Sequence, residues 1–328
     1  GSRQMKGRLG TINTPEGKIL CEAIGMERSK IPMLLVNGGP CGSRINLMDT
    51  IGGMLADRPV ISYSQMNSPG SVPNSRTDSS YWTLEYYTEE IERVRYALDI
   101  EKMIIFGHSW GGGLALNYAA LHPDRCAGIV AGSPLVRAAD WARDTAKRLE
   151  EIRPEVNEFV EGIRKSMPEI QGDMLKDVSA KAEEALFIAR YQDAHLTPTL
   201  YLRYLLGQRK ENSLPEGKEV YQYMWGQNEY DITGTLKDMN ITGILREINV
   251  PVLFVCGEYD EILPDTVIGY SKMVPQGSFH VVKEGTHTFF NCMTKEEYAK
   301  FSERIHSWTE NIDEHISPSA LLSGQGSR

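Results

Sequence analysis

The sequence is poor in the features that would tie a chain to a membrane, an oxidising compartment or nucleic acid. No apolar run approaches the ~20 residues that a membrane-spanning helix needs, and the first residues lack the basic, apolar and small-residue succession of a secretory signal. Only five cysteines occur, Cys21, Cys41, Cys126, Cys256 and Cys292. Their number is odd, their spacing is wide, and they form neither a CxxC pair nor a Cys/His cluster with zinc spacing. That argues against a disulfide framework and a structural metal, and for a reducing, cytoplasmic setting. Cys126 and Cys256 lie in apolar runs, where a buried thiol behaves as a small hydrophobe. Positive charge is also short: 35 Lys and Arg face 44 Asp and Glu, a net charge of −9. A polyanionic partner such as nucleic acid is disfavoured, while a cationic ligand is compatible with this balance. No internal repeat is visible.

What is present is ordinary globular material: 328 residues, 41% hydrophobic and 24% charged. A chain of this size buries about three quarters of its unfolded surface, enough for one large domain or a core with an insertion. Gly1-Ser2-Arg3-Gln4 reads as a cloning remnant and residues 323–328 as a flexible tail. Residues 9–27 read as a hairpin turning at Thr14-Pro15-Glu16-Gly17. Residues 31–36, 59–63, 103–106, 127–131, 251–256 and 278–282 are short apolar runs suited to buried strands. Residues 68–80, rich in Pro, Gly and Ser, read as loop. Helical periodicity appears over 88–98, after residue 112, and over 295–311. Between residues 136 and 206 the chain is rich in Ala, Glu, Lys, Arg and Leu and reads as amphipathic helices, with residues 150–153 and 181–184 as solvated charged faces. The expectation is an α/β fold: a mostly parallel sheet with helices on both faces, a core of residues 5–135 and 243–312, an inserted helical cap over 136–242, and a tag or tail at 1–4 and 313–328.

Gly107-His108-Ser109-Trp110-Gly111-Gly112 is the most informative stretch. An apolar strand precedes it and a helix follows it, and Gly-x-Ser-x-Gly in that setting is a nucleophile elbow. The serine must stand on a sharp, strained turn so that its Oγ clears the sheet, and side chains at residues 107 and 111 would collide there. The turn also aims the Trp110 N–H at the point where an oxyanion would form. A serine needs a base held by a third group. Asp260 stands just past one predicted strand and His287 just past the next. Ser, Asp, His is the chain order of one hydrolase architecture and differs from the chymotrypsin and subtilisin orders. The other histidines, His108, His122, His195, His280, His306 and His315, have no such setting, and Glu258, Glu261 and Asp265 are weaker candidates for the acid. The Asn37-Gly38-Gly39-Pro40 loop follows the strand where a second oxyanion donor is expected, with the Gly39 N–H as candidate.

Taken together, Asn37-Gly38-Gly39-Pro40, the elbow, Gly257-Glu258-Tyr259-Asp260-Glu261 and Gly285-Thr286-His287 resemble the proline iminopeptidase family of α/β-hydrolases. The tricorn-interacting aminopeptidase and L-amino-acid amidase branch is the nearest in look. Tyr223-Met224-Trp225-Gly226-Gln227-Asn228-Glu229-Tyr230 and Thr233-Gly234-Thr235-Leu236-Lys237-Asp238 resemble that branch more specifically. The resemblance implies that Glu229 and Glu261 hold the substrate's free α-ammonium, which two carboxylates in a closed pocket do through charge-assisted hydrogen bonds. Surface carboxylates paired with arginines are the bland alternative. The sequence departs from the family at Asn37, at Cys41 and over residues 64–71, which puts a preference for proline in question.

The expected activity is therefore a serine aminopeptidase or amino-acid amidase working through Ser109, His287 and Asp260, with a small peptide or amino-acid amide as partner. No metal and no organic cofactor is expected. A lactonase, esterase or cyclising hydrolase of specialised metabolism is the first alternative. A non-catalytic ligand-binding protein of the same fold is the second.

Overall fold

The continuous apolar runs form the middle of a nine-stranded sheet. Its strands are β1 (Arg8–Thr14), β2 (Gly17–Ile24), β3 (Met33–Val36), β4 (Val60–Tyr63), β5 (Val72–Pro73), β6 (Met103–His108), β7 (Cys126–Gly132), β8 (Val252–Gly257) and β9 (Gly277–Val282). The main path runs β1-β2-β4-β3-β6-β7-β8-β9, with β5 pairing on β2. The pairs from β4 through β3 to β9 are parallel, whereas β2 meets β1, β4 and β5 in antiparallel fashion. This computed structural model describes residues 7–207 and 216–316; residues 1–4 and 323–328, read above as a cloning remnant and a tail, lie outside them.

Period-two alternation explains why the central strands read as unbroken apolar runs. Met103 and Ile105 of β6 face one apolar cluster and Ile104 and Phe106 the other. Leu34 and Val36 of β3 are divided from Met33 and Leu35 in the same way, as are Val252 and Phe254 of β8 from Leu253 and Val255. A strand covered on both faces has no polar side to show.

The longer helices are α1 (Leu84–Ala97), α2 (Trp110–Leu121), α3 (Ala138–Ser166), α4 (Gly172–Phe187), α5 (Pro198–Gly207), α6 (Lys218–Met224), α7 (Pro264–Met273) and α8 (Lys295–His315). Tyr87 and Ile91 of α1, Leu114 of α2 and Tyr270 of α7 cover one face of the sheet. Phe301 and Ile305 of α8, with Leu47 and Ile51 from a helical turn, cover the other. Thr83 and Thr294 cap α1 and α8 by accepting the Tyr86 and Glu297 N–H groups.

Three expectations are corrected. The loop at 68–80 contains β5, whose Val72 and Pro73 pair with Lys18 and Gly17. The last helix does not stop at 311, and residues 313–315 are not tail. Asp313 receives two hydrogen bonds from the Arg58 guanidinium, at 3.1 and 2.9 Å, and Arg58 is fully buried, so that interaction holds the final helical turn in place. The charged run at 181–184 is half-buried rather than a solvated face, and burial pushes the Glu184 carboxyl up to about 7.

Between β7 and β8 the long elements are all helical. Ile152 and Val156 of α3, Leu186 and Phe187 of α4, and Tyr191 just after it form a small apolar core of their own. On this layout we propose that the described residues between 136 and 242 are an insertion into a core of residues 7–135 and 243–315. Its two ends are continuous with the main core, since Trp141, Trp225 and Leu236 belong to the large cluster. Among the described residues, no helix is long and apolar enough to cross a membrane, and no group of three or more His, Cys, Asp or Glu is arranged to hold a metal ion. All five cysteines are unpaired.

Candidate active site

Ser109 sits between β6 and α2 with φ 59° and ψ −120°, in the left-handed region that L side chains rarely adopt. The two flanking glycines permit this turn by close approach. A Cβ on Gly107 would lie 2.2 Å from the Gly111 carbonyl oxygen, and one on Gly111 would lie 2.2 Å from the Val36 carbonyl oxygen. Backbone bonds then lock the turn: Ser109 N–H donates to Gly132 at 2.8 Å, and the Ser109 carbonyl accepts from Gly112, Gly113 and Leu135. Trp110 is the first residue of α2, so its N–H is one of the donors that no carbonyl inside the helix can reach.

Asp260 and His287 come from the loops after β8 and β9. Asp260 Oδ1 lies 2.8 Å from His287 Nδ1. Its Oδ2 accepts from the Ser133 hydroxyl and from the Gly257 N–H at 3.1 Å. Burial alone would raise this carboxyl, yet the His287 ring and these hydrogen bonds hold it below the ordinary aspartate range. With Nδ1 engaged, Nε2 is the ring nitrogen left to act as a base. The His287 backbone is braced as well. Its N–H donates to Tyr191 at 2.7 Å, and its carbonyl lies 2.7 Å from His108 Nε2. Burial keeps the His108 ring neutral, with a pKa lowered to about 3, so Nε2 carries the proton and donates. The Trp141 ring meets the His287 ring edge-on at 5.3 Å.

The loop carrying Gly39 lies against the elbow. A Cβ on Gly38 would stand 3.1 Å from the Ser109 Cβ. Gln65 fastens this loop to the elbow helix: its Nε2 donates to the Asn37 carbonyl at 2.8 Å, and its Oε1 accepts from Trp110 Nε1 at 3.2 Å.

Neither Glu229 nor Glu261 is an arginine-paired surface group. Glu229 is partly buried and accepts hydrogen bonds from Gln192 Nε2 and, at 3.0 Å, from the Tyr221 hydroxyl. Glu261 is fully buried, and neither carboxylate oxygen has a hydrogen-bond partner among the described residues. Burial raises the Glu229 carboxyl. Burial, with repulsion from Glu229 and Asp260, raises the Glu261 carboxyl well above the glutamate range.

Of the other histidines set aside as the base, His108 braces His287, and three more stand elsewhere. His122 is 2.8 Å from exposed Glu89, and His195 and His315 bond backbone carbonyls. Four supporting groups escaped the sequence reading: Gln65, Ser133, Arg148 and the Tyr191-Gln192 pair. Each acts across a long stretch of chain, and no local pattern marks such a contact.

Comparison with known proteins agrees with this architecture. Residues 31–290 match the family described as alpha/beta hydrolase fold. A proline iminopeptidase of Heyndrickxia coagulans is 27% identical over 278 residues, covering 85% of this chain and 91% of that protein. One from Clostridium botulinum is 27% identical over 297 residues, covering 87% and 92%. The likeness expected from the motifs thus extends over most of the chain. Among solved structures, a Mycobacterium smegmatis proline iminopeptidase superposes with a TM-score of 0.74 at 20% identity, over 94% of this chain and 100% of that one. VinJ does so with a TM-score of 0.74 at 22% identity, over 94% and 100%. At such identities the structural matches speak for the fold alone.

Proposed function

The chain belongs to the alpha/beta hydrolase fold family, and on that premise we propose that it is a serine aminopeptidase or amino-acid amidase. Ser109 Oγ attacks the scissile carbonyl while His287 Nε2 takes its proton. Asp260 holds the imidazole and stabilises its charged form. The Gly39 and Trp110 N–H groups bind the oxyanion. Collapse of the tetrahedral species breaks the C–N bond, and the amine leaves with the proton from His287. Water, deprotonated by His287, then releases the amino acid and regenerates Ser109. Glu229 and Glu261 hold the substrate's α-ammonium, and the helical insertion limits substrate length and excludes water. The reading draws on the similarity to the two proline iminopeptidases.

The observation that carries the amine-directed part is Glu261, a fully buried carboxylate without a hydrogen-bond partner beside Asp260. A buried acceptor in that condition is costly unless a donor arrives, and an ammonium is a fitting one. The test is a panel of aminoacyl-coumarins, free and N-acetylated, together with simple esters. Hydrolysis of the free amines, loss on acetylation, and a fall of roughly 10⁴-fold or more in kcat for Ser109→Ala are expected. Equal turnover of the acetylated forms or of esters refutes the aminopeptidase reading and favours an esterase or lactonase.

A further inference from the structure

Arg148 is a cation buried where nothing local requires one. It lies on α3, is 6% exposed, and among the described residues has one carboxylate partner, Glu151 at 3.1 Å, on the solvent side. Its inner edge is a two-pronged donor to the loop that carries the acid. Nε donates to the Asp260 carbonyl and Nη2 to the Glu258 carbonyl, both at 2.8 Å. The guanidinium also lies over the Tyr191 ring, 5.0 Å from its centroid. Tyr191 closes a circuit. Its hydroxyl shares its one proton between the Arg148 carbonyl at 3.1 Å and Glu151 at 2.9 Å, while its own carbonyl accepts the His287 N–H at 2.7 Å. The next residue, Gln192, takes Thr286 and Thr288 through its carbonyl and gives its side-chain amide to Glu229. One patch of the insertion therefore grips the acid loop, the base loop and an amine-site carboxylate together.

We propose that Arg148 is a positioning residue. By clamping the carbonyls of residues 258 and 260 it sets the register of Asp260 against His287, and through Tyr191 it joins the two loops into one rigid unit. The insertion is then part of the alignment of the triad and not merely a cover over it. Two donors in a fixed planar fork suit guanidinium geometry; a lysine supplies the charge and donors without the fork.

The inference rests on the Ser109 reading and is tested without assuming a substrate. An alkyl fluorophosphonate is the probe: Ser109 Oγ bonds to phosphorus, fluoride leaves, and His287 takes the proton. The rate constant, the final stoichiometry and the pH dependence of labelling are measured for wild type, Arg148→Met and Arg148→Lys. With Arg148→Met the rate constant falls tenfold or more at full stoichiometry. The pH dependence of labelling changes with it, because Asp260 no longer holds the imidazole in one orientation, and Arg148→Lys recovers part of the loss. Should Arg148→Met not fold, Glu151→Gln, which releases the guanidinium from the solvent side, gives a slowing of two- to threefold. An unchanged rate constant and pH profile in the folded variants, whatever the labelled fraction, overturns the proposal and leaves Arg148 a structural tie. A wild-type protein that never labels overturns the serine-hydrolase reading and this proposal with it.

Discussion

One peptide bond separates Asp260 from Glu261, both are fully buried, and the regions around them are opposite. The Asp260 pocket is complete: His287, Ser133 and Gly257 supply the partners a carboxylate needs, and the group stays charged against the pull of burial. The Glu261 pocket has no hydrogen-bond donor among the described residues and has a second carboxylate nearby, and the group is pushed toward its neutral form. Burial by itself therefore does not decide the charge of a carboxyl; the number of donors aimed at it does. Under the proposed function the complete pocket needs nothing from outside, and the incomplete one is finished by the substrate.

The largest effect that would break this comparison comes from the complete pocket. Asp260→Asn presents an amide N–H or a weak acceptor to His287 Nδ1, so the imidazole is held in the wrong tautomer. We expect kcat to fall by about 10⁴-fold with little change in KM, measured by steady-state hydrolysis of aminoacyl-coumarins. A loss under tenfold would mean that another carboxylate serves His287. Glu261→Gln comes next. It should lower kcat/KM for free-amine substrates by on the order of 10²- to 10³-fold and leave the fluorophosphonate labelling rate unchanged. If labelling falls in parallel, Glu261 supports Asp260 and not the substrate, and the two pockets are one.

The complete pocket was legible in the sequence only as far as its named chemistry. Ser109, Asp260 and His287 could be picked out because each stands within five residues of the end of a strand. The central strands were readable because burial on both faces leaves unbroken apolar runs. Helix α7, Pro264–Met273, gave no such signal: Thr266, Val267 and Ile268 are β-branched, and the packing of Val267 and Tyr270 into the core decides the helix. Arg148 and Arg153 share one charged helix, yet the first is buried on the acid loop and the second is half-exposed beside Glu183. Periodicity cannot separate them, because the difference lies in a contact with residues more than a hundred positions away. Ser133 is hidden for the same reason, and it supplies the next prediction. Ser133→Ala removes one donor from Asp260 Oδ2 and leaves the Gly257 N–H. A hydrogen bond to a charged group of this kind is worth about 1.5–3 kcal/mol. With part of that loss recovered by the remaining donor, kcat should fall by about tenfold, and a fall as large as that of Asp260→Asn would show that Ser133 acts directly on the reaction.

The smallest effect is one of stability, and its sign follows from Glu261. In the unfolded chain a glutamate titrates near 4.3; in the folded protein Glu261 titrates well above the ordinary range because burial and the neighbouring carboxylates oppose its charge. Between those limits the folded state holds a proton that the unfolded state has lost. Raising the pH through this window therefore favours unfolding, and the stability present below the unfolded value is lost as Glu261 ionises. A glutamine at 261 has no proton to lose. Thermal melts of wild type and Glu261→Gln should accordingly draw apart with pH, the variant gaining steadily on wild type from about pH 5 to about pH 8. In a Ser109→Ala background, where the amide is not turned over, saturation with a free amino-acid amide should narrow the gap between Glu261 and Glu261→Gln by supplying the missing donor. Parallel melting curves across that pH range would mean that Glu261 is charged and satisfied in the resting protein, and the contrast with Asp260 would collapse.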